Sequence, residues 1–384
     1  MVRYLIGWML GIESIFLLLP ALTAVIYGEA ELPAYLTAAA ISLAGAALLC
    51  HRKPKNTRFY AREGYVTVAL CWLVLAVIGA LPFVLSREIP FFIDALFETV
   101  SGFTTTGATI LGDVEALSHA SMLWRCLTHW VGGMGVLVFM LIVLPLAGGQ
   151  TIFLMRAESP GPSVSKMSPH MRDTATILYA IYFGLTVLQM ILLLIDAICV
   201  SLGTAGTGGF GNWNDSIAHY NSAYLQNVIT VFMILFGINF SAYFLILTRK
   251  FRQAFRIEEI RVYLGVIFVF AGLIAFNVRP MFGSLRESFH HALFQVASII
   301  TTTGFSTVDF DRWPTFSRAL LVLLMFIGAC AGSTGGGIKC SRILLLGKSV
   351  KKEMMCLIHP RLVRVNKMDG QRVPHEVMRS INVF

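Results

Sequence analysis

Three short stretches of threonine and glycine recur along the chain and carry its strongest chemical signal. They are Thr104, Thr105, Thr106 and Gly107, then Gly206, Thr207, Gly208 and Gly209, and finally Thr301, Thr302, Thr303 and Gly304. Glycine accepts positive φ angles, so the carbonyls of such a stretch can turn toward a common axis. A ring of carbonyls can replace the hydration shell of a cation. One copy alone is typical of a polar turn, but three copies roughly 100 residues apart indicate an internal repeat and favour an ion filter.

The surrounding elements predict how these stretches are positioned. A short apolar segment precedes each one, at residues 91–103, 196–205 and 288–300, and each is too short to cross a bilayer. Such a segment fits a re-entrant pore helix, whose C-terminal end carries partial negative charge and points at the cation site. Longer apolar segments lie on both sides of each short segment and its Thr-Gly stretch. The repeating unit is therefore a span, a pore helix, a filter strand and a second span.

The composition is that of a membrane protein. Of 384 residues, 56% are hydrophobic and 13% are charged, against about 25% charged in soluble domains. The net charge of +9 does not indicate nucleic-acid binding, because the basic residues lie in short loops between apolar segments. The seven cysteines lack metal-ligand spacing and are interpreted as packing residues.

Apolar segments long enough to cross a bilayer predict the membrane topology. They lie at residues 4–27, 33–50, 64–86, 121–146, 174–195, 224–248 and 262–278, and the third repeat returns from Thr315. Basic clusters at 52–62, 156–172 and 249–261 mark cytoplasmic loops, which puts the N-terminus in the cytoplasm as well. Acidic residues fall on the outer side, where they either concentrate cations or are ordinary loop charges. They are Asp94, Glu98, Asp113, Glu115, Asp215, Asp309 and Asp311.

At these positions the chain resembles the Trk/Ktr/HKT superfamily of potassium transporters, and most closely its bacterial Trk-type membrane subunits. The resemblance rests on the Thr-Thr-Thr-Gly-Ala-Thr run and on residues 124–135, 159–162 and 328–339, and it covers residues 1–352. It implies an all-α integral membrane protein, with repeated helix–pore loop–helix units around an ion pore and two transmembrane helices before them. It also implies a multi-pass protein of the bacterial plasma (inner) membrane.

Six segments follow from this organisation. Residues 1–63 hold two transmembrane helices and a basic cytoplasmic loop, 64–150 the first repeat, 151–172 a cytoplasmic linker, 173–257 the second repeat, 258–346 the third repeat, and 347–384 a basic cytoplasmic tail. The family pattern has four repeats, and this sequence contains three. We expect a fragment whose tail leads to a fourth repeat, or else a separate polypeptide that supplies the last filter strand.

A glycine cluster interrupts the last apolar run. It comprises Gly332, Ser333, Thr334, Gly335, Gly336 and Gly337, and Ile338 and Lys339 follow it. Three adjacent glycines cost a helix roughly 1 kcal/mol each relative to alanine, so a function is expected. A phosphate-binding loop needs Lys directly after the last glycine, where Ile338 stands instead. A notch for close helix packing is one alternative. The preferred hypothesis, which the resemblance also implies, is a flexible gate below the filter.

Charged residues near the predicted pore have open interpretations. Lys339 either raises a barrier to cations or extends its ammonium to the membrane interface. Arg125, just inside the outer end of its span, is expected to pair with a pore-helix carboxylate such as Glu98, because intramembrane charges are expensive and usually partnered. That pair would support the filter rather than bind the ion.

The predicted function is potassium uptake across the plasma membrane through backbone carbonyls, without covalent chemistry or a covalent cofactor. Potassium is expected at the filter glycines Gly107, Gly209 and Gly304, where the family pattern implies that glycine favours potassium over sodium. The resemblance further implies a homodimer in the lipid bilayer and a cytosolic nucleotide-binding regulatory subunit. The basic tail either faces lipid or docks that subunit.

Other classes fit less well. Coupling to sodium or protons stays open, whereas a transporter for an organic solute would need a substrate-sized polar pocket with an intramembrane charge. An enzyme would need clustered polar side chains at membrane depth, and His119, His129, His290 and His291 form no metal or nucleophile constellation. A non-conducting fragment is the last alternative, because three filter strands leave one side of a ring open.

Overall fold

The computed structural model describes residues 2–52, 61–143, 171–194, 196–359, 365–374, 377–379 and 381. Within these ranges the chain is helical almost throughout, which confirms the predicted all-α class. The predicted basic loop at 53–60, the segment 159–162 and most of the predicted linker lie outside the described residues.

The described helices follow the predicted order of spans and pore helices. They are α1 (Val2–Tyr27), α2 (Leu32–Cys50), α3 (Ala61–Leu85), α4 (Phe92–Phe103), α5 (His119–Val143), α6 (Met171–Leu193), α7 (Ala197–Ala205), α8 (Ala223–Phe236), α9 (Phe240–Leu247), α10 (Phe251–Arg256), α11 (Glu258–Val278), α12 (Leu285–Ile300), α13 (Thr315–Phe326) and α14 (Cys340–Ile358). Two short strands, β1 (Lys367–Met368) and β2 (Gln371–Arg372), pair antiparallel near the C-terminus.

The three predicted pore helices correspond to α4, α7 and α12. Two of them begin one residue later than predicted, and α12 begins at Leu285, three residues earlier than the predicted start. The physical reason for the early start is a cap. The Ser284 hydroxyl accepts a hydrogen bond from the backbone N–H of Glu287 at 3.2 Å, which is half of the Ser-x-x-Glu capping box.

Length and hydropathy make five of the described helices able to cross a membrane, or six if α8 and α9 form one broken span. Large apolar side chains on these helices are exposed, among them Ile26, Leu48 and Phe276, each more than two-thirds exposed. A surface of this kind suits lipid rather than water.

The predicted span at 224–248 is not one continuous helix, because α8 and α9 are bent by 93° at residues 237–239. Asn239 begins α9 by accepting a hydrogen bond from Ser241 N–H at 2.8 Å. The backbone groups freed by the bend are also bound: Gly237 O accepts from Cys330 N–H, and Phe240 N–H donates to Gly332 O, both at 3.0 Å. A broken helix is tolerated at membrane depth when protein groups satisfy its backbone in this way.

The described residues divide into two compact units. The first holds the residues up to Ile229 together with Thr303–Phe305, and the second holds Thr230–Thr302 and Ser306 onward. In the first unit, α1 and α2 pack closely through small residues, since a Cβ on Gly7 would lie 2.6 Å from the Cys50 sulfur. The Ser42 hydroxyl also donates to Leu10 O at 2.9 Å across this pair.

The second unit has its own core between α11, α12 and α13. Its buried members include Tyr263, Ile267, Ile274, Val296, Ile300, Leu321 and Leu324. The region predicted as a polar tail contains more structure than expected. Helix α14 runs on to Ile358, and its Leu345 packs against Met368, Val373 and Ile381 beside the β1–β2 hairpin.

Candidate functional site

The three Thr-Gly stretches have one backbone conformation. The threonine at the second position has positive φ in each, at 55° in Thr105, 54° in Thr207 and 58° in Thr302. The closing glycine also has positive φ in each copy, at 75°, 80° and 85° in Gly107, Gly209 and Gly304. Non-glycine residues rarely adopt this region, and each such case costs on the order of 1 kcal/mol or more. The sequence repeat is therefore a structural repeat as well.

Hydrogen bonds at the ends of the pore helices hold the threonines in this conformation. After α4, Thr105 N–H donates to Gly102 O at 3.0 Å and Thr106 N–H donates to Ser101 O at 2.9 Å. After α7, Thr207 and Gly208 repeat the two bonds at 3.0 and 3.1 Å. This is the Schellman pattern, which usually places glycine where these turns place threonine. Sequence reasoning assigned positive φ to the glycines only.

Two of the closing glycines face a carbonyl of the next turn. A Cβ on Gly107 would collide with the carbonyl oxygen of Gly208, and a Cβ on Gly209 would collide with that of Thr303. Only glycine lets the neighbouring carbonyls approach so closely. Gly304 differs, because no described atom lies within 4 Å of its Cβ position.

A buried ion pair supports the strands that follow the first two turns. Arg125 on α5 donates to the Glu98 carboxylate on α4, and both side chains are at most 3% exposed. Glu98 also accepts hydrogen bonds from the Thr109 hydroxyl at 3.0 Å and from Ile110 N–H at 3.2 Å. The predicted Arg125–Glu98 pair is confirmed, and the carboxylate also binds the chain just beyond Gly107.

The guanidinium of Arg125 also contacts the segment that follows the second Thr-Gly turn. Its central carbon lies 3.6 Å from the ring centre of Phe210, and Nη1 donates to Gly211 O at 3.4 Å. On a desolvated aromatic face such a cation–π contact contributes about 2 kcal/mol. Arg125 therefore joins the segments after Gly107 and Gly209.

His129 is a support residue that sequence reasoning missed. Its ring is fully buried and stacks on Phe210 with 3.9 Å between ring centres, and Nδ1 accepts a hydrogen bond from Phe210 N–H at 3.3 Å. A Cβ on Gly208 would lie 2.5 Å from this ring. Nε2 has no hydrogen-bond partner among the residues that the structure describes. No local pattern signals a contact between positions about 80 residues apart, so this role of His129 could not be predicted.

Two glycines of the segment 124–135 explain that motif. A Cβ on Gly132 would collide with Phe103 O, and a Cβ on Gly133 would lie 2.8 Å from the Cα of Gly206. Helix α5 therefore packs its backbone directly against the ends of the pore helices α4 and α7. Trp124 fixes the outer part of α5 by donating from Nε1 to Gly79 O at 2.9 Å.

The loops that follow the first two pore helices meet at one asparagine. Asn214 accepts from Val114 N–H at 2.9 Å, donates to the Asp113 carboxylate at 2.8 Å and donates its backbone N–H to Glu115 at 3.1 Å. Hydrogen bonds from the Asn214 amide and from the Glu115 backbone hold the pKa of Asp113 below its ordinary value. Two of the predicted outer acids, Asp113 and Glu115, are therefore neighbours that bind the same asparagine.

The predicted break in the last apolar run is present in the second unit, and it is longer than predicted. Helix α13 ends at Phe326 and α14 begins at Cys340. The two arms of this Gly-rich loop pair with each other, since Gly328 N–H donates to Ile338 O at 2.8 Å and Cys340 N–H donates to Ala329 O at 3.2 Å. A Cβ on Gly328 would collide with Gly336 O, so the crossing of the arms requires glycine.

The Gly-rich loop also lies against the start of the third turn. Gly336 N–H donates to the Thr302 hydroxyl at 2.8 Å, and a Cβ on Gly335 would lie 3.1 Å from Thr301 O. The ammonium of Lys339 donates to Gly335 O inside the loop. This geometry argues against the hypothesis that Lys339 extends to the membrane interface, because its ammonium donates to a carbonyl of the loop itself.

Known proteins resemble this chain over almost its whole length. The model of the TrkH family, described as cation transport protein, matches residues 34–270 and 269–384. The Trk system potassium uptake protein TrkH of Escherichia coli (strain K12) is 36% identical over 389 residues, which cover 98% of this chain and 80% of that protein. The Trk system potassium uptake protein TrkG of the same strain is 33% identical over 394 residues, which cover 100% of this chain and 81% of that protein.

A solved structure gives the same result for the fold. The crystal structure of the potassium transporter TrkH from Vibrio parahaemolyticus matches with a TM-score of 0.87 at 30% identity, covering 99% of this chain and 82% of that chain. The family model, the relatives and the structural match agree with the apolar helices and the repeated turns described above. The chain is a multi-pass membrane protein and belongs to the TrkH family of cation transport proteins.

Proposed function

We propose that this chain takes up potassium across the membrane and that its three Thr-Gly turns line the ion path with backbone carbonyls. The observation that carries the proposal is the approach of neighbouring turns at Gly107 and Gly209, where a carbonyl oxygen of the next turn occupies the space a side chain would need. The relatives named above are potassium uptake proteins. Carbonyls held at such short range replace the water shell of a dehydrated cation.

The buried charges fit a filter that attracts cations without binding them through side chains. Glu98 is neutralised by Arg125 and is fully used in holding Thr109 and Ile110. The attraction then comes from the carbonyls and from the C-terminal ends of α4, α7 and α12, which carry about half a negative charge each. Gly107, Gly209 and Gly304 are the proposed potassium positions.

The proposed gate is the part of the Gly-rich loop at residues 332–337, together with Lys339. Its contacts to Thr301 and Thr302 would let a movement of the loop alter the third turn. The bond from the Lys339 ammonium to Gly335 O would carry the positive charge along with the loop, so that opening moves a charge as well as a steric barrier.

The assembly that we propose follows the family resemblance. The N-terminus lies in the cytoplasm of a bacterium, the chain sits in the inner membrane as a homodimer, and a cytosolic nucleotide-binding subunit regulates it. The six segments predicted from the sequence remain the proposed domain organisation. No nucleic acid is expected as a partner.

Uptake of rubidium-86 into proteoliposomes tests the proposal. One preparation holds this chain, and a second holds the chain extended with a fourth helix–pore loop–helix unit taken from a related potassium uptake protein. We expect uptake that external potassium suppresses and that the same concentration of sodium leaves largely unchanged. Equal suppression by sodium in both preparations would contradict a potassium filter.

A further inference from the structure

The first turn of α11 carries two neighbouring glutamates with different partners. Glu259 is 2% exposed, and its Oε1 accepts hydrogen bonds from Ala331 N–H at 2.7 Å and from Ser341 N–H at 3.0 Å. These two N–H groups lie in the first half of the Gly-rich loop and just after its end. One carboxylate oxygen therefore holds both arms of the loop to the start of α11.

Glu258 is bound instead to the β1–β2 hairpin. Its backbone N–H donates to Oδ1 of Asp369 at 2.8 Å, and its carboxylate pairs with the ammonium of Lys348. Lys348 also donates to Lys367 O at 2.8 Å. One hydrogen bond therefore links the hairpin directly to the first turn of α11, and Lys348 of α14 connects the two through one bond to each.

Asp369 acts as the cap that α11 otherwise lacks. The residue at the N-cap position, Ile257, has no side chain able to accept from the first N–H groups of the helix. Unsatisfied N–H groups and the positive end of the helix dipole favour a carboxylate at this place. Asp369 supplies it from a position about 110 residues further along the chain.

The hairpin is built to hold Asp369 at that point. Asp369 and Gly370 form its turn with φ angles of 51° and 80°, the pattern of two positive angles that two-residue hairpins prefer. Met368 and Val373 anchor the strands in an apolar cluster with Leu345 of α14. The position of the Asp369 carboxylate is thus set by packing and not by the α11 contact alone.

We propose that Asp369 is a positioning residue for the Gly-rich loop: the hairpin fixes the first turn of α11, and that turn fixes the loop through Glu259. A molecule that displaces the hairpin would then release the loop without touching it. The inference rests on the proposed function for its effect on ion flux, whereas its structural part concerns only where the loop is held.

Buried cysteines at the loop supply a direct readout. Cys330 and Cys340 are at most 1% exposed, and Cys126 in the first unit is equally buried. The full chain would keep these three cysteines and carry serine at Cys50, Cys71, Cys199 and Cys356. The rate at which a small thiol reagent modifies Cys330 and Cys340 then reports release of the loop, and the rate at Cys126 reports general unfolding.

Asp369→Ala is the test variant, and Glu353→Ala is its matched control, because Glu353 is an exposed carboxylate of α14 whose loss changes the net charge equally. We expect Asp369→Ala to raise modification of Cys330 and Cys340 about fivefold, as the loss of one capping interaction predicts, with no change at Cys126. Equal rates in Asp369→Ala and Glu353→Ala, or a parallel rise at Cys126, would overturn the inference.

Two substitutions of Glu259 separate this inference from the proposed gate. Glu259→Gln keeps an oxygen that can accept both N–H groups and is expected to behave as the parent chain, whereas Glu259→Leu removes the acceptor and is expected to expose Cys330 and Cys340. Faster modification in Glu259→Leu with unchanged rubidium uptake would refute the gate alone. If Glu259→Leu opens the loop and Asp369→Ala does not, the positioning role of Asp369 is refuted instead.

Discussion

The Thr-Gly turns and the Gly-rich loop both depend on glycine, but their glycines face different neighbours. Gly107 and Gly209 face carbonyls of another turn, about 100 residues away in sequence, whereas Gly328 faces Gly336 of its own loop. The shape of a turn therefore depends on the packing of several segments. The shape of the loop depends mainly on contacts between its own two arms.

The contacts that hold the Thr-Gly turns in place also differ from those that hold the Gly-rich loop. Behind the first two turns lie a buried ion pair, a guanidinium on an aromatic face and a buried imidazole. The loop is attached by hydrogen bonds. Ala331 N–H and the adjoining Ser341 N–H donate to Glu259, and Gly336 N–H donates to the Thr302 hydroxyl. Cys330 N–H and Gly332 O also bond to the backbone at the α8–α9 bend. Many interlocking contacts suit a fixed selective element, and a few hydrogen bonds suit an element that moves.

The largest effect is expected from breaking the ion pair behind the turns. Glu98→Gln leaves the Arg125 charge buried without its partner, which destabilises a protein by about 3–5 kcal/mol. Thermal unfolding in detergent would show a large loss of stability. The double variant Glu98→Gln with Arg125→Met should recover part of it, because no buried charge remains.

The exposed pair of Asp309 and Arg312 is the control for that experiment, since these side chains are 55% and 81% exposed. Asp309→Asn should change stability by less than about 1 kcal/mol. A similar loss in Asp309→Asn and Glu98→Gln would mean that the buried pair has no special weight in the support of the turns.

An intermediate effect is expected from crowding the loop. Gly328→Ala brings a Cβ against Gly336 O, so the two arms must separate, while the rest of the second unit is left intact. Rubidium uptake should change severalfold with little change in unfolding temperature. Gly347→Ala in α14 is the control, because no atom of the described residues lies within 4 Å of its Cβ position. Identical uptake in Gly328→Ala and Gly347→Ala would show that the crossing of the loop arms does not affect ion flux.

The smallest effect among the three proposed filter glycines is expected at Gly304. Alanine there meets no described atom within 4 Å and pays only for a φ of 85°, which costs roughly 1–2 kcal/mol. Gly107→Ala adds a collision with Gly208 O to a similar strain. Uptake should therefore fall less in Gly304→Ala than in Gly107→Ala, and the reverse order would show that crowding between turns is not the deciding factor.

Most of the helices and the Arg125–Glu98 pair could be predicted because local sequence patterns indicate them. Apolar segments of bilayer length predict the spans, and the short ones before each Thr-Gly stretch predict the pore helices. Arg125 and Glu98 could be paired from the sequence because charges are rare at that depth and each needs a partner. Glycine clusters also mark the loop between α13 and α14.

The remaining features depend on contacts that no local pattern records. Positive φ at Thr105, Thr207 and Thr302 contradicts the preference of the residue type and follows from the helix-end hydrogen bonds. Glu259 resembles any acid at a helix start, yet it is buried and binds backbone N–H groups far along the chain. The bend between α8 and α9 likewise depends on partners in the Gly-rich loop.

Ion selectivity of Gly209→Ala beside Gly112→Ala shows whether carbonyls of the Thr-Gly turns select the ion. Both glycines follow a pore helix. A Cβ on Gly209 would collide with Thr303 O at a φ of 80°, whereas the part of the chain that the structure describes has no atom within 4 Å of the Cβ position of Gly112. The measurement is rubidium-86 uptake in the presence of competing potassium or sodium. We expect Gly209→Ala to lose uptake or its preference for potassium, and we expect Gly112→Ala to keep both. Unchanged preference in Gly209→Ala would contradict a carbonyl filter at these turns.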